Sequence, residues 1–282
     1  MAIRDIKRGR PGRLISWLQS RLHVVLSLPG IRWIRGRQLR RLQPLANGRQ
    51  RGQPIVRFYW HRFLEAHRSD IRGFCLEIGS TATIRGYGQA VTRADAIDLA
   101  AHSEEISVVA DLSRADRLPG EAYDCVICPF TMHLIYDVEA ALYHSIRLLK
   151  PGGVLLVNFP CVDYYFPRGL DMGTGAPLFV YWWFTPIMVE NLLGRVGLAS
   201  SDCQTRIDGN LFARVAYQMN MPCEELSRTE IEHEDEGHPL IISVRAVRPL
   251  VWRGIRPQYR DSQPPLAVPA RWNPTTGHYP SD

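Results

Sequence analysis

Between residues 56 and 250, apolar and polar positions follow two alternating rhythms. Short, nearly continuous apolar runs occur at Phe74–Ile78, 93–100 ("RADAIDLA"), 106–112 ("ISVVADL"), Tyr123–Cys128, 153–159 ("GVLLVNF") and 239–247 ("PLIISVRAV"). Runs of that length, without strict in–out alternation, predict strands buried on both faces, as in a parallel sheet. Between them lie stretches of helical period: "VRFYWHRFLEAHRSDI" from Val56, "VEAALYHSIRLLK" over 138–150 and "FTPIMVENLLGRVG" from Phe184. Thr185 is placed to cap the last, with Pro186 at its first helical position, where a missing N–H costs nothing. Pro151-Gly152-Gly153 ends the middle one and turns the chain back into the sheet. Alternation of this kind predicts an α/β fold: a Rossmann-like open, mostly parallel sheet with helices on both faces.

The flanks read differently. In residues 1–56, Leu14, Leu18, Leu22 and Leu26 recur at helical spacing among basic residues, Pro29-Gly30 stops that helix, and a second basic segment runs to about Arg41. Residues 251–282 are Pro-rich and aperiodic, the signature of a disordered or draped tail. The expected organisation is therefore a basic arm (1–56), a globular domain (57–250) and a tail (251–282).

Charge sharpens that division. The chain carries +6, but residues 1–57 hold 14 Lys and Arg against one acid, so the remainder is near −7. Three readings of the arm stay open: a helix packed loosely on the domain or partly disordered, an amphipathic helix docking on an anionic membrane surface, and a nucleic-acid contact. The last is the weakest, because no aromatic residues alternate with the arginines. Hydrophobic content of 45% and charged content of 22% belong to a globular protein. No stretch of about 18 apolar residues is present, so no transmembrane helix is expected, and the apolar run from His23 lacks a cleavage site. The expected location is the cytoplasm, with peripheral contact at the inner membrane face through the arm. Cys125 and Cys128 form a CxxC, but three residues apart on a strand they face opposite sides, which argues against a shared metal or redox bridge. "HEDEGH" (233–238) reads as a solvated acidic turn rather than a metal site.

In an open α/β sheet the ligand lies at the carboxyl ends of the strands. There the sequence puts Glu77-Ile78-Gly79 after the first strand, Asp98 after the second, Asp111-Leu112 after the third and Cys128-Pro129-Phe130 after the fourth. Asp98, 21 positions beyond Glu77, stands where a carboxylate grips ribose hydroxyls, in NAD enzymes and S-adenosylmethionine (SAM) enzymes alike. Asp111 suits an adenine amine, with Leu112 over the ring. The turn after Gly79 carries Thr81 and Thr83 where a dinucleotide site places glycines to admit a pyrophosphate. SAM has no phosphate; Gly79 for close approach, the hydroxyls of Ser80 and Thr81, and the charge of Glu77 would suffice for it.

The run "DLSRADRLPGEAYDCVICPFTMHLIYDVEAALYHSIRLLKPGGVLLV", from Asp111, resembles the middle of a class I SAM-dependent methyltransferase, of the type 11 kind. "LEIG", "TIRGYG", "IYDVEAAL", "YWWFT" and "DGN" are similar to a bacterial branch often found beside glycosyltransferases, which also has an atypical glycine loop. The resemblance covers roughly residues 57–248. It implies SAM as cofactor, bound by Glu77, Gly79, Ser80, Asp98, Asp111, Leu112 and Phe130, and methyl transfer to a small-molecule or glycan acceptor: a sugar, a glycan precursor or a secondary metabolite. Deprotonating an alcohol needs a base, and His133, just past the fourth strand, is the candidate; a cleft-lining histidine is the alternative. Tyr136 and Asp137 are read as starting the next helix. Tyr181, Trp182 and Trp183 form either an acceptor wall or core packing. The rival to an enzyme is a catalytically inactive, methyltransferase-like scaffold for a membrane-associated glycosyltransferase. An NAD oxidoreductase is disfavoured by the missing pyrophosphate loop.

Overall fold

A computed structural model describes residues 42–45, 52–163, 170–171 and 177–258. The expectations for the helix over Leu14–Leu26, for the second basic segment and for most of the tail lie outside the described residues. Among those described, no helix is long and apolar enough to cross a membrane.

The chain divides into two compact units, 59–208 with 239–282, and 1–58 with 209–238. The first holds a seven-stranded sheet: β1 (Gly73–Ile78), β2 (Val91–Asp98), β3 (Ile106–Val109), β4 (Tyr123–Cys128), β5 (Leu149–Pro160), β6 (Cys203–Asp208) and β7 (Ile241–Val247). Their spatial order is 3-2-1-4-5-7-6. β1 pairs in parallel with β2 (Ile78 opposite Ile97) and β4 (Leu76 opposite Val126), and β4 with β5 (Ile127 opposite Leu156). β7 runs antiparallel between β5 and β6, with Val157 opposite Val244 and Ile207 opposite Ile242. The order reverses between β1 and β4, which opens a crevice at the carboxyl ends of those strands.

Two faces of helices bury this sheet. On one, Leu76, Ile97, Val126, Leu155, Val157 and Val244 form a single core with Leu142 and Ile146 of α3 (Val138–Leu148) and Val189 and Leu193 of α4 (Pro186–Arg195). Asp137 caps α3, accepting from Ala140 N at 3.2 Å. Thr185 caps α4, accepting from Met188 N at 3.3 Å. On the opposite face, Arg245 alternates with the core residues Val244 and Ala246. There it makes a bidentate pair with Asp70, 2.8 and 2.9 Å, in the turn that follows α1 (Ile55–Ala66). Cys128 lies on the α3 side, 3.8 Å from Ser145 Oγ. Cys125 lies beside Cys75 on the other side. Between α3 and the main run of β5, Gly152 adopts φ +78°, and a Cβ on Gly153 would meet the carbonyl oxygens of Lys150 and Asp124 at 3.0 and 3.2 Å, so this turn requires glycine.

Several element ends shift by a few residues from the sequence reading, and three differences bear on the site. β3 stops at Val109 rather than 112, because Asp111 turns its carboxylate onto Ser113 N and opens a 3-10 turn, Leu112–Arg117. β6 is an edge strand whose mixed polarity gave no apolar run. Residues 209–238 group apart from the rest of 57–250. In that unit Asn210 caps α5 (Leu211–Gln218) through Ala213 N at 2.8 Å. Its amide also donates to the carbonyls of Glu230 and His233, both at 2.8 Å, tying α5 to α6 (Arg228–Glu232). The "HEDEGH" segment forms a turn in which Asp235 accepts from Gly237 N at 2.9 Å and pairs with His238 at 2.8 Å. Among the described residues no cluster of His, Cys, Asp and Glu is arranged for a metal.

Candidate active site

The turn from β1 to α2 (Ala82–Tyr87) is built around a buried carboxylate. Glu77 is 2% exposed. Its oxygens accept from Thr83 N at 2.9 and 3.1 Å and from Ile84 N at 3.0 Å, the amides that begin α2. Burial pushes the Glu77 carboxyl above its usual range, opposed by the Thr83 side chain and the two amides. Both oxygens thus accept from amides inside the loop, and Glu77 shapes the turn that glycines shape elsewhere. Gly79 has φ +84° and donates its N–H to Ile97 O at 2.9 Å, which fixes the turn against β2. A Cβ there would meet only Asp98 Oδ2, at 3.8 Å. Ser80 Oγ accepts from Ala82 N at 3.3 Å. Thr81 is buried, with its Oγ1 accepting from Arg85 at 2.6 Å; Arg85 also pairs with Glu105 at 2.8 Å.

The two strand-end acids follow. Asp98, the last residue of β2, accepts from Leu99 N at 2.6 Å and from His102 Nε2 at 2.9 Å. Asp111 uses Oδ1 for both Ser113 N (2.9 Å) and Ser113 Oγ (2.7 Å), and its Oδ2 has no partner among the described residues. Leu112 is buried in the core with Leu76 and Ile97. Phe130, after β4, holds φ +49°, a strained conformation for a bulky residue. Asn158 Oδ1 accepts its N–H at 2.9 Å, and its ring stands edge-on to Trp60 with centroids 6.3 Å apart. The sequence reading missed His102, Ser113, Trp60 and Asn158; only Asn158, a polar residue in the apolar run "GVLLVNF", had a visible signal.

Past Phe130 the chain makes a 3-10 turn, Met132–Leu134. The His133 carbonyl accepts from Tyr181 N at 2.8 Å and Trp182 N at 3.4 Å, which joins this turn to the segment before α4. The His133 ring is buried, and burial holds its pKa below the usual histidine value against the opposing pull of Asp163. Its Nε2 lies 3.9 Å from Asp163 Oδ2, and its buried Nδ1 has no hydrogen-bond partner among the described residues. The aromatic cluster splits into different roles. Trp182 donates to the carbonyls of Ile135 and Tyr136 at 3.0 and 3.1 Å and so pins the loop. Tyr181 meets Tyr136 edge-on at 5.4 Å, Trp183 is 50% exposed and Phe184 belongs to the core.

Residues 79–157 match the family model described as a methyltransferase domain. That span begins at the turn glycine and ends in β5, so it takes in both strand-end acids and the His133 turn. No curated protein matches the chain. Among solved structures, an S-adenosylmethionine dependent methyltransferase from Mesorhizobium loti is similar at 16% identity and TM-score 0.43, over 66% of this chain and 96% of that one. The YcgJ protein from Bacillus subtilis is similar at 15% identity and TM-score 0.41, over 67% and 99%. Residues 79–157 therefore match a methyltransferase domain, and they lie in an open, mostly parallel Rossmann-like sheet of strand order 3-2-1-4-5-7-6.

Proposed function

We propose that this protein is a SAM-dependent methyltransferase acting on a hydroxyl of a sugar, a glycan precursor or a secondary metabolite. The occupation of the α2 amides by Glu77 carries the reading. A dinucleotide enzyme leaves those amides free to hold a pyrophosphate. Here a carboxylate already holds them, and its burial against phosphate oxygens would be repulsive. A ligand without phosphate, and with a positive charge, is favoured instead. The residues present fit SAM: Gly79 leaves open space before Asp98. Asp98, whose oxygens accept from Leu99 N and His102, would use its remaining lone pairs for ribose hydroxyls. Asp111 has a carboxylate oxygen without a partner among the described residues for the adenine amine. SAM supplies an activated methyl group, so the protein's work is to orient the acceptor in line with it and manage one proton. The sugar or metabolite acceptor rests on the resemblance of "LEIG", "TIRGYG" and "YWWFT" to the branch found beside glycosyltransferases.

Calorimetry of the full chain tests this. SAM and its demethylated product should bind with micromolar dissociation constants, about −8 kcal/mol, and NAD should not compete. Competition by NAD would overturn the argument from Glu77. No binding of either SAM form would favour the inactive scaffold.

A further inference from the structure

Resting on the methyltransferase reading, we propose that an acceptor hydroxyl sits between His133 and Asp163, with His133 as a fixed hydrogen-bond donor and Asp163 as the group that takes the proton. The histidine beside the cleft is then not the base that its position in the sequence suggests.

The argument starts from Nδ1 of His133. It is sealed from solvent and has no hydrogen-bond partner among the described residues, in a side chain 6% exposed. A proton on Nδ1 would bury a donor with no acceptor, which costs more than leaving an acceptor bare. The neutral ring therefore carries its hydrogen on Nε2. Protonation to the imidazolium would place the orphan hydrogen on Nδ1 after all, so the ring resists becoming the acid form that a general base must become. Burial acts in the same direction.

Nε2–H faces Asp163 Oδ2 across 3.9 Å, too far for a direct hydrogen bond. A hydroxyl oxygen about 2.8 Å from each atom would bridge them, with an angle of roughly 90° at that oxygen. It would accept from Nε2–H and donate its own hydrogen to the carboxylate. Asp163 is 19% exposed in its side chain and so keeps a route for releasing the proton to water. As the hydroxyl oxygen's lone pair forms the bond to the methyl carbon, the carbon–sulfur pair returns to sulfur, and the O–H hydrogen passes to Asp163 as a proton. The oxygen grows acidic as that bond forms, so a carboxylate is a sufficient acceptor although a free alcohol is a far weaker acid. Asp163 and His133 thus supply opposite halves of a hydroxyl's hydrogen bonding, which selects an alcohol or phenol over an amine salt or a carboxylate.

The test reads the ring directly, in the full-length protein labelled with nitrogen-15 on histidine. Imidazole nitrogen–proton spectra at neutral pH should show His133 neutral and protonated at Nε2. His133→Gln assigns the signal by its loss; should that variant not fold, coupling of the ring to its own backbone assigns it. In Asp163→Asn the Nε2 signal should shift while the same nitrogen stays protonated. A ring protonated at Nδ1, or an imidazolium at neutral pH, would overturn the proposal and return the role of base to His133. An Nε2 signal unmoved in Asp163→Asn would separate the pair and overturn it equally. Failure of wild-type protein to bind SAM would instead retract the methyltransferase reading, whatever the ring shows.

Discussion

Replacing Asp111 by asparagine isolates one carboxylate oxygen. In the folded protein Oδ1 serves the backbone, accepting from Ser113 N at 2.9 Å and Ser113 Oγ at 2.7 Å, and so caps the turn that carries Leu112. Asparagine keeps that oxygen. At the other position it exchanges an acceptor for an NH₂ donor, which would face the adenine amine of bound SAM donor to donor. Losing a hydrogen bond to a charged group is worth about 1.5–3 kcal/mol, roughly 10- to 150-fold in SAM dissociation constant. Stability should remain within about 0.5 kcal/mol, since the cap survives. Asp111→Ala removes both functions, so the same loss of affinity should come with about 0.5–2 kcal/mol of lost stability from the missing cap. Calorimetry with SAM and urea unfolding of the three proteins separate the two effects. A folded Asp111→Asn protein that binds SAM as tightly as wild type would refute the adenine assignment. Equal stability of Asp111→Ala and wild type would refute the cap.

Two further perturbations follow. Gly79→Ala forces a Cβ onto a residue at φ +84° but meets nothing closer than 3.8 Å, so its cost is backbone strain of about 1–2 kcal/mol; urea unfolding that shows no loss would contradict the left-handed turn, and SAM affinity should fall because the new methyl lies before Asp98. His144 on α3 is fully buried. Burial first, and then the Arg147 charge, lowers its pKa to about 4, with Asp116 opposing. Below about pH 6.5 the unfolded chain binds a proton that the folded chain refuses until near pH 4, so stability is lost as pH falls through that window, by up to about 3 kcal/mol. His144→Gln should flatten that slope in urea unfolding measured across the window; parallel slopes for the two proteins would refute it.

Much of this architecture is local information. β1, β4 and β5 are apolar on both faces, and such runs have few places to go except the middle of a sheet. Asp137 and Thr185 precede helical periods and cap them through atoms three residues away. Asp98 and Asp111 stand at strand ends because each terminates or follows an apolar run, and this put the candidate ligand acids within reach of the sequence. β6 escaped because an edge strand is specified by its neighbour: Ile207 and Asp208 find their register only against Ile242 and Ile241 of β7. The separate grouping of 209–238 escaped for a related reason. Asn210 links α5 to α6 across some 20 residues, and no local pattern announces such a bond.

The sequence by itself determined the alternation of strand and helix, the acids at the ends of the strands, and the loss of the glycines that a pyrophosphate needs. Only the tertiary structure decided which atoms of those residues remain free. Glu77 accepts from the amides of Thr83 and Ile84. Asp111 keeps one oxygen and gives up the other. At His133, packing buries Nδ1 and leaves Nε2 3.9 Å from an Asp163 that no motif had singled out. Periodicity depends on neighbours a few positions away. The Glu77 and Asp111 bonds span only two to seven residues but depend on loop conformations that no period encodes. The burial of His133 and its approach to Asp163 depend on segments packed together from farther along the chain.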